Sequence, residues 1–179
     1  MQSQSRRRAF AAVSLVVLCA APAGVILYLL HSWTPTPVPL GNKMPALHLM
    51  SIDGHAFVQD TADGKKSLLV FFTPSCSHCR RELTNLDDLL PRFTDKLDIL
   101  GISLDNLEST EALITEMNLK FPVVVVDDEQ LEKTFKVNIL PAFFCVDELG
   151  VLRNYYTGEH SLAIDEHLLM EFISSSSAP

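Results

Sequence analysis

The sequence predicts an α/β sandwich around a mixed central sheet, and three observations carry that expectation. From Leu68 onward, short apolar runs alternate with segments of helical periodicity. Two of the runs, "LLVFF" and "FPVVVVD", are continuously apolar, as strands covered on both faces are. A paired hairpin late in the chain, "AFFCVD" and "VLRNYY" joined through Glu148-Leu149-Gly150, adds antiparallel strands to a parallel set.

The chain has 179 residues and is 47% hydrophobic, enough for one membrane segment and one ordinary domain. Residues 1–8 form a basic segment with Arg6, Arg7 and Arg8. Ala9 to Leu30 follows without a charge, and as a helix it spans roughly 33 Å, close to the thickness of a bilayer core. The arginines predict a cytoplasmic N-terminus, with everything after Leu30 on the far side. A cleaved signal peptide competes with this reading, because Ala21 and Ala23 form a small-x-small pair. The run's continuation to Leu30, with Tyr28 and Trp33 suited to an interfacial belt, favours an uncleaved anchor. Cys19 reads as apolar filler within it.

Residues 31–41 carry Pro35, Pro37 and Pro39 and read as a semi-rigid spacer. Residues 42–173 are the expected globular domain, and the serine-rich tail 174–179 has too little apolar content to order itself. After the anchor, 22 acidic residues face 11 basic ones, a formal charge of −11. So acidic a domain excludes nucleic acid and anionic lipid surfaces as partners.

Within the domain, "ALHLMSIDGHAFV" predicts a hairpin turning at Asp53-Gly54. "LLVFF" is the next strand. Leu83, Leu86, Leu89, Leu90 and Phe93 recur at helical spacing, with Pro91 expected to end or kink that helix. "LDILGISL" is a strand, "LESTEALITEMN" a helix, "FPVVVVD" a buried strand and "EQLEKTFKV" a short helix. After the late hairpin, "SLAIDEHLLMEFI" closes the domain as an amphipathic helix with Ser161 as its N-cap.

The stretch with chemistry is "TPSCSHCRREL", where Cys76 and Cys79 stand between a buried strand and the start of a helix. Unpaired N–H groups and the macrodipole at a helix N-terminus stabilise an anion, so a thiolate at Cys76 is expected to attack disulfides near neutral pH. Cys79, one turn in, is placed to resolve the mixed disulfide. His78 between them can add positive charge beside Cys76, or simply face water. Arg80 and Arg81 carry the same two readings. A structural zinc site is disfavoured, since no second CxxC or CxxH follows. A static disulfide is disfavoured because so small a loop constrains little chain.

This order of features resembles the membrane-anchored TlpA/ResA branch of exported thioredoxin-fold thiol–disulfide oxidoreductases. The resemblance covers "GNKMPALHL", the Asp53-Gly54 turn, "LVFFTPSCSHCRREL" and "NILPAFFCVDELG". It implies a thioredoxin-like sandwich with an N-terminal β-hairpin extension, behind one transmembrane helix. It also implies a cis proline opposite the cysteines, matched by Pro141, with the Leu140 backbone pairing with the peptide that carries the target disulfide. Glu82 matches the acid of the CxxCxxE pattern, a proton handler for exchange. Cytoplasmic thioredoxins keep an aspartate six residues before the first cysteine, and Val70 stands there instead. Ser75 and His78 depart from the usual residues before each cysteine, and "FxPxCxxC" is also similar to the MauD-like relatives.

The resemblance implies an enzyme of the bacterial inner membrane that reduces disulfides in exported clients, as in cytochrome or metalloenzyme maturation. A membrane dithiol carrier would recharge it. No cofactor beyond the Cys76–Cys79 disulfide and no metal is expected. Two alternatives stand beside it: a copper chaperone similar to the SCO proteins, drawing on His160, and a peroxiredoxin-like peroxidase. Cys145, in an apolar strand, reads as core.

Overall fold

The computed structural model describes residues 39–44, 47–59, 64–93, 95–126, 135 and 137–175. The basic segment, the apolar run Ala9 to Leu30 and most of the spacer lie outside the described residues. So do most of the short helix expected at "EQLEKTFKV" and the last four residues of the tail. Among the described residues, no helix is long and apolar enough to cross a membrane.

Seven strands and three helices are described. The strands are β1 (Leu47–Ser51), β2 (Ala56–Gln59), β3 (Lys66–Phe72), β4 (Leu97–Ser103), β5 (Val123–Val126), β6 (Ala142–Val146) and β7 (Leu152–Thr157). The helices are α1 (Ser77–Phe93), α2 (Leu107–Met117) and α3 (Leu162–Ser174). One mixed sheet runs in the order β2-β1-β5-β4-β3-β6-β7. Strands β3, β4 and β5 are parallel; β1 joins β5, and β6 joins β3, antiparallel. The expected mixed α/β sheet and its N-terminal hairpin are thus both present, with Gly54 at φ +82° in the turn, where a side chain would be strained.

The apolar run of β3 shows why its strand is central. Leu68, Val70 and Phe72 enter one core cluster with Leu83, Leu86 and Leu89 of α1, Leu113 of α2, and Leu169 and Phe172 of α3. Leu69 and Phe71 point the other way, into a cluster with Leu49, Ile102, Val124, Phe135 and Phe144. Alternation at period two therefore serves two faces, and every position must be apolar. Each large side chain so buried contributes on the order of 1.5–3 kcal/mol.

Local signals account for the helix ends. Asn106 caps α2, its side chain accepting the Ser109 N–H at 2.9 Å, and Asn118 closes the helix at φ 51°. Pro91 lies inside α1, which runs two residues past it to Phe93, so the proline falls in the last turn and interrupts little. Ser161 is the N-cap residue of α3, but its side chain makes no capping bond; its backbone carbonyl accepts from Ile164 and Asp165 instead. The helix extends through Ser174, one residue beyond the expected domain boundary. Its C-terminal carbonyls are held by the buried Lys66, whose ammonium donates to Phe172 at 2.9 Å, Ile173 at 3.2 Å and Ser175 at 2.6 Å. A cation at that end also complements the helix dipole. At the other boundary, Gly41 donates to the Leu152 carbonyl at 2.8 Å, so the end of the spacer is already pinned to β7.

Candidate active site

Strand β3 ends at Phe72, and α1 begins five residues later at Ser77. The intervening turn presents Cys76 half-buried at the helix N-terminus, while Cys79 is wholly buried on the first turn. Both carry free thiols. The Cys79 backbone N–H donates to the Cys76 sulfur at 3.2 Å, so one of the orphan amides of the helix start is spent on this sulfur. Burial, reinforced by the hydrogen bond with the Cys76 thiol, pushes the Cys79 thiol up to about 12. The two thiols are thus unequal: one reaches solvent and receives an N–H, and the other is kept protonated by its surroundings.

Glu82 lies on the same buried stripe of α1, three residues past Cys79, among Leu83, Leu86 and Leu89. Its side chain is 0% exposed. The backbone N–H of His160 donates to Oε1, while Oε2 is buried and has no hydrogen-bond partner among the described residues. Burial pushes the carboxyl up to about 8, and the neighbouring Asp165 carboxyl adds to the rise. Nδ1 of His160 lies 4.0 Å from Glu82 Oε1 and 3.6 Å from Asp165 Oδ1, and Asn85 donates to Asp165 Oδ2 at 3.2 Å.

The outer face of α1 is held by the residue before His160. Glu159 accepts from Arg81 at 2.5 Å and meets His78 Nδ1 at 2.6 Å; Arg81 also lies 2.9 Å from that ring nitrogen. These hydrogen bonds hold the Glu159 carboxyl down at about 2. His78, the residue between the cysteines, is therefore engaged with a carboxylate. Arg80 pairs with Glu116 through both terminal nitrogens, at 2.8 and 3.0 Å, and reaches the Pro74 carbonyl at 3.1 Å.

The peptide bond between Leu140 and Pro141 is cis. Ala142 pairs with Phe71 in the β3–β6 register, so Pro141 arrives at the end of β3 from which the cysteine turn departs. Pro141 is buried, its carbonyl accepts from Gly158 at 2.8 Å, and Leu140 and Cys76 both pack against the same core cluster. Cys145 sits opposite Leu68 in that register, with burial pushing its thiol up to about 12.

Cys76, His78, Cys79, Glu82, Leu140 and Pro141 are legible in the sequence; Asp165 and Glu159 join the site only in the folded chain. Asp165 could have been found, because with Leu169 and Phe172 it falls on the apolar stripe of α3. Glu159 carries no such signal, since a loop acid 78 residues from Arg81 shares no periodicity with it.

A match to the AhpC/TSA family spans residues 40–155, more than half of the chain. The chain belongs to the AhpC/TSA family. It is similar to the thiol-disulfide oxidoreductase ResA of Geobacillus kaustophilus, 28% identical over 171 residues, 94% of this chain and 97% of that protein. It is also similar to the thioredoxin-like protein YneN of Bacillus subtilis, 26% identical over 148 residues, 80% of this chain and 86% of that one. Among solved structures, the thioredoxin domain of a thiol-disulfide oxidoreductase from Bacteroides vulgatus superposes with a TM-score of 0.66 at 21% identity, covering 76% of this chain and 99% of that domain. The fold is thioredoxin-like, and this AhpC/TSA member resembles proteins named thiol-disulfide oxidoreductases, with its own CxxC pair at Cys76 and Cys79.

Proposed function

We propose that the protein is a membrane-tethered dithiol that reduces disulfides in exported client proteins. The inequality of the two thiols is the observation that carries this reading. Cys76, half-buried and receiving an N–H, attacks the client disulfide; one client sulfur is captured and the other leaves as a thiolate. Cys79 then gives up its proton and attacks the Cys76 sulfur. The mixed disulfide breaks, Cys76–Cys79 forms, and the second client sulfur departs. Two electrons have passed to the client, and a membrane dithiol carrier, itself oxidised to a disulfide, supplies two more to reduce Cys76–Cys79 again.

Glu82 serves the second step. Cys79 must lose a proton while buried, and a carboxylate one turn along the same stripe is the base within the core to take it. Leu140 and Pro141 offer backbone to an extended client peptide beside Cys76. Arg81 places positive charge at the helix start, tempered by Glu159, which also holds the His78 ring. The arginines at 6–8 and the apolar run Ala9 to Leu30 supply the tether and the extracytoplasmic orientation.

Trapping tests the assignment. A Cys79→Ala variant, expressed as the full chain, is expected to accumulate clients as mixed disulfides through Cys76, released by reductant and identified by mass spectrometry. Equal capture by Cys76→Ala would reverse the roles given to the two cysteines.

A further inference from the structure

Glu82 cannot exchange a proton with water unaided. Its side chain is 0% exposed, and Asp165 beside it is only 6% exposed. A small, half-open cavity of about 20 Å³ lies beside this pair; Leu68, Leu86, Phe143 and Leu169 wall it with groups that carry no proton, and His160 and Asp165 also line it. His160 is a partly exposed polar member of this lining: its side chain is 23% exposed, and its Nδ1 faces both carboxyls. An imidazole can accept a proton on one face and release it at the other nitrogen. We propose that His160, positioned by Asp165, is the outlet through which Glu82 exchanges its proton with solvent in each redox cycle.

This rests on the dithiol reading above and adds a positioning residue to it. The proton leaving the Cys79 sulfur passes to the Glu82 carboxylate as the Cys76–Cys79 bond forms. It then moves to His160 Nδ1, directly or across the Asp165 carboxyl, and a proton leaves to water. The departing client thiolate takes its proton from water, so charge and protons balance over the cycle. The present gaps of 3.6 and 4.0 Å close to hydrogen-bond length with a shift on the order of an ångström in one partly exposed side chain. The other charged or titratable groups around this path are Glu159 next to His160, itself paired with Arg81 and His78, and Cys79 on α1. Cys145 and Tyr156 line the cavity from β6 and β7. A Glu82 carboxyl raised to about 8 by burial changes its charge close to neutral pH, where such a relay is of use.

The test follows the glutathione mixed disulfide. The reduced full chain is mixed with glutathione disulfide, quenched with acid at intervals from pH 6 to pH 9, and the Cys76 adduct is measured by mass spectrometry. In His160→Gln, which keeps the backbone N–H to Glu82, resolution of the adduct is expected to slow roughly tenfold or more near pH 7. Alkylation of Cys76 by iodoacetamide should stay within about twofold of the parent. Added imidazole should restore resolution in His160→Ala, and Asp165→Asn, close to isosteric, should show a smaller slowing with the same change of pH profile. Resolution within about twofold of the parent at every pH overturns the proposal, as does a slowing that neither imidazole nor pH moves. If the parent forms no adduct at Cys76, the dithiol reading itself falls, and that outcome is distinct from the other two.

Discussion

The backbone N–H of His160 donates to the buried carboxyl of Glu82, 78 residues earlier in the chain. Glu159, its neighbour, binds Arg81 and His78 on the outside of the same helix. Two consecutive loop residues thus grip α1 from within and from without, one turn past the cysteines. The loop from β7 to α3 thereby bears on both the proton chemistry and the surface charge of the site.

Stability should depend on pH through Glu82. Its folded value of about 8 lies above the ordinary 4.5, so the folded state holds a proton the unfolded chain releases. The contribution is fully favourable below about pH 4.5 and is lost as pH rises through about 8. Glu82→Gln should remove this dependence and stabilise the dithiol form by about 2–4 kcal/mol at pH 9, with little gain at pH 5. Urea unfolding of parent and variant at the two pH values measures it; equal gains at both would contradict a raised carboxyl.

Glu159→Gln should release His78 and Arg81 from their shared anion. With that charge uncompensated near Cys76, alkylation of Cys76 by iodoacetamide is expected to quicken roughly two- to fivefold at low salt. The difference should shrink at high salt, because these groups are exposed and screened. A rate indifferent to the substitution would show that His78 and Arg81 do not influence the attacking sulfur.

Cys145→Ala should leave disulfide exchange unchanged. The thiol is buried in β6 and the exchange steps do not draw on it. Its loss should cost about 1 kcal/mol as a small cavity. Insulin reduction assays paired with denaturant melts check both halves of the expectation.

Asp147 should prove structural. It is buried at the β6–β7 turn, accepting the N–H groups of Leu149 and Val151 at 2.9 Å each and the Arg153 guanidinium at 2.6 Å. Burial works to raise its carboxyl, but the bonds from Val151, Arg153 and Leu149 outweigh it and hold it low. Asp147→Ala should destabilise by about 2–4 kcal/mol, and Asp147→Asn, which can still accept both amides, by about 1 kcal/mol. A lowered carboxyl contributes stability above its ordinary 3.8 that is lost as pH falls below it. The gap between parent and Asn variant should therefore narrow on acidification, which unfolding curves at pH 7 and pH 3 will reveal.

Much of the molecule was legible in the order of residues. "LLVFF" foretold a strand buried on both faces, and β3 contributes to both core clusters. Asp53-Gly54 announced its hairpin, and the strand–CxxC–helix order placed both sulfurs at a helix start. Two local expectations met competing interactions. Pro91 falls so near the end of α1 that the helix absorbs it, and Ser161 begins α3 without a side-chain capping bond.

Residue order alone sets the period of each element, the spacing of Cys76 and Cys79, and the placing of an acid on their stripe. Those features depend on residues a few positions apart, whose geometry the backbone repeat dictates. The packed fold is what brings Glu82 to His160 and Asp165, Glu159 to the far side of the helix, and Lys66 to the end of α3. Such pairings join residues some 80 to 110 positions apart, and their partners are selected by how the sheet stacks its helices.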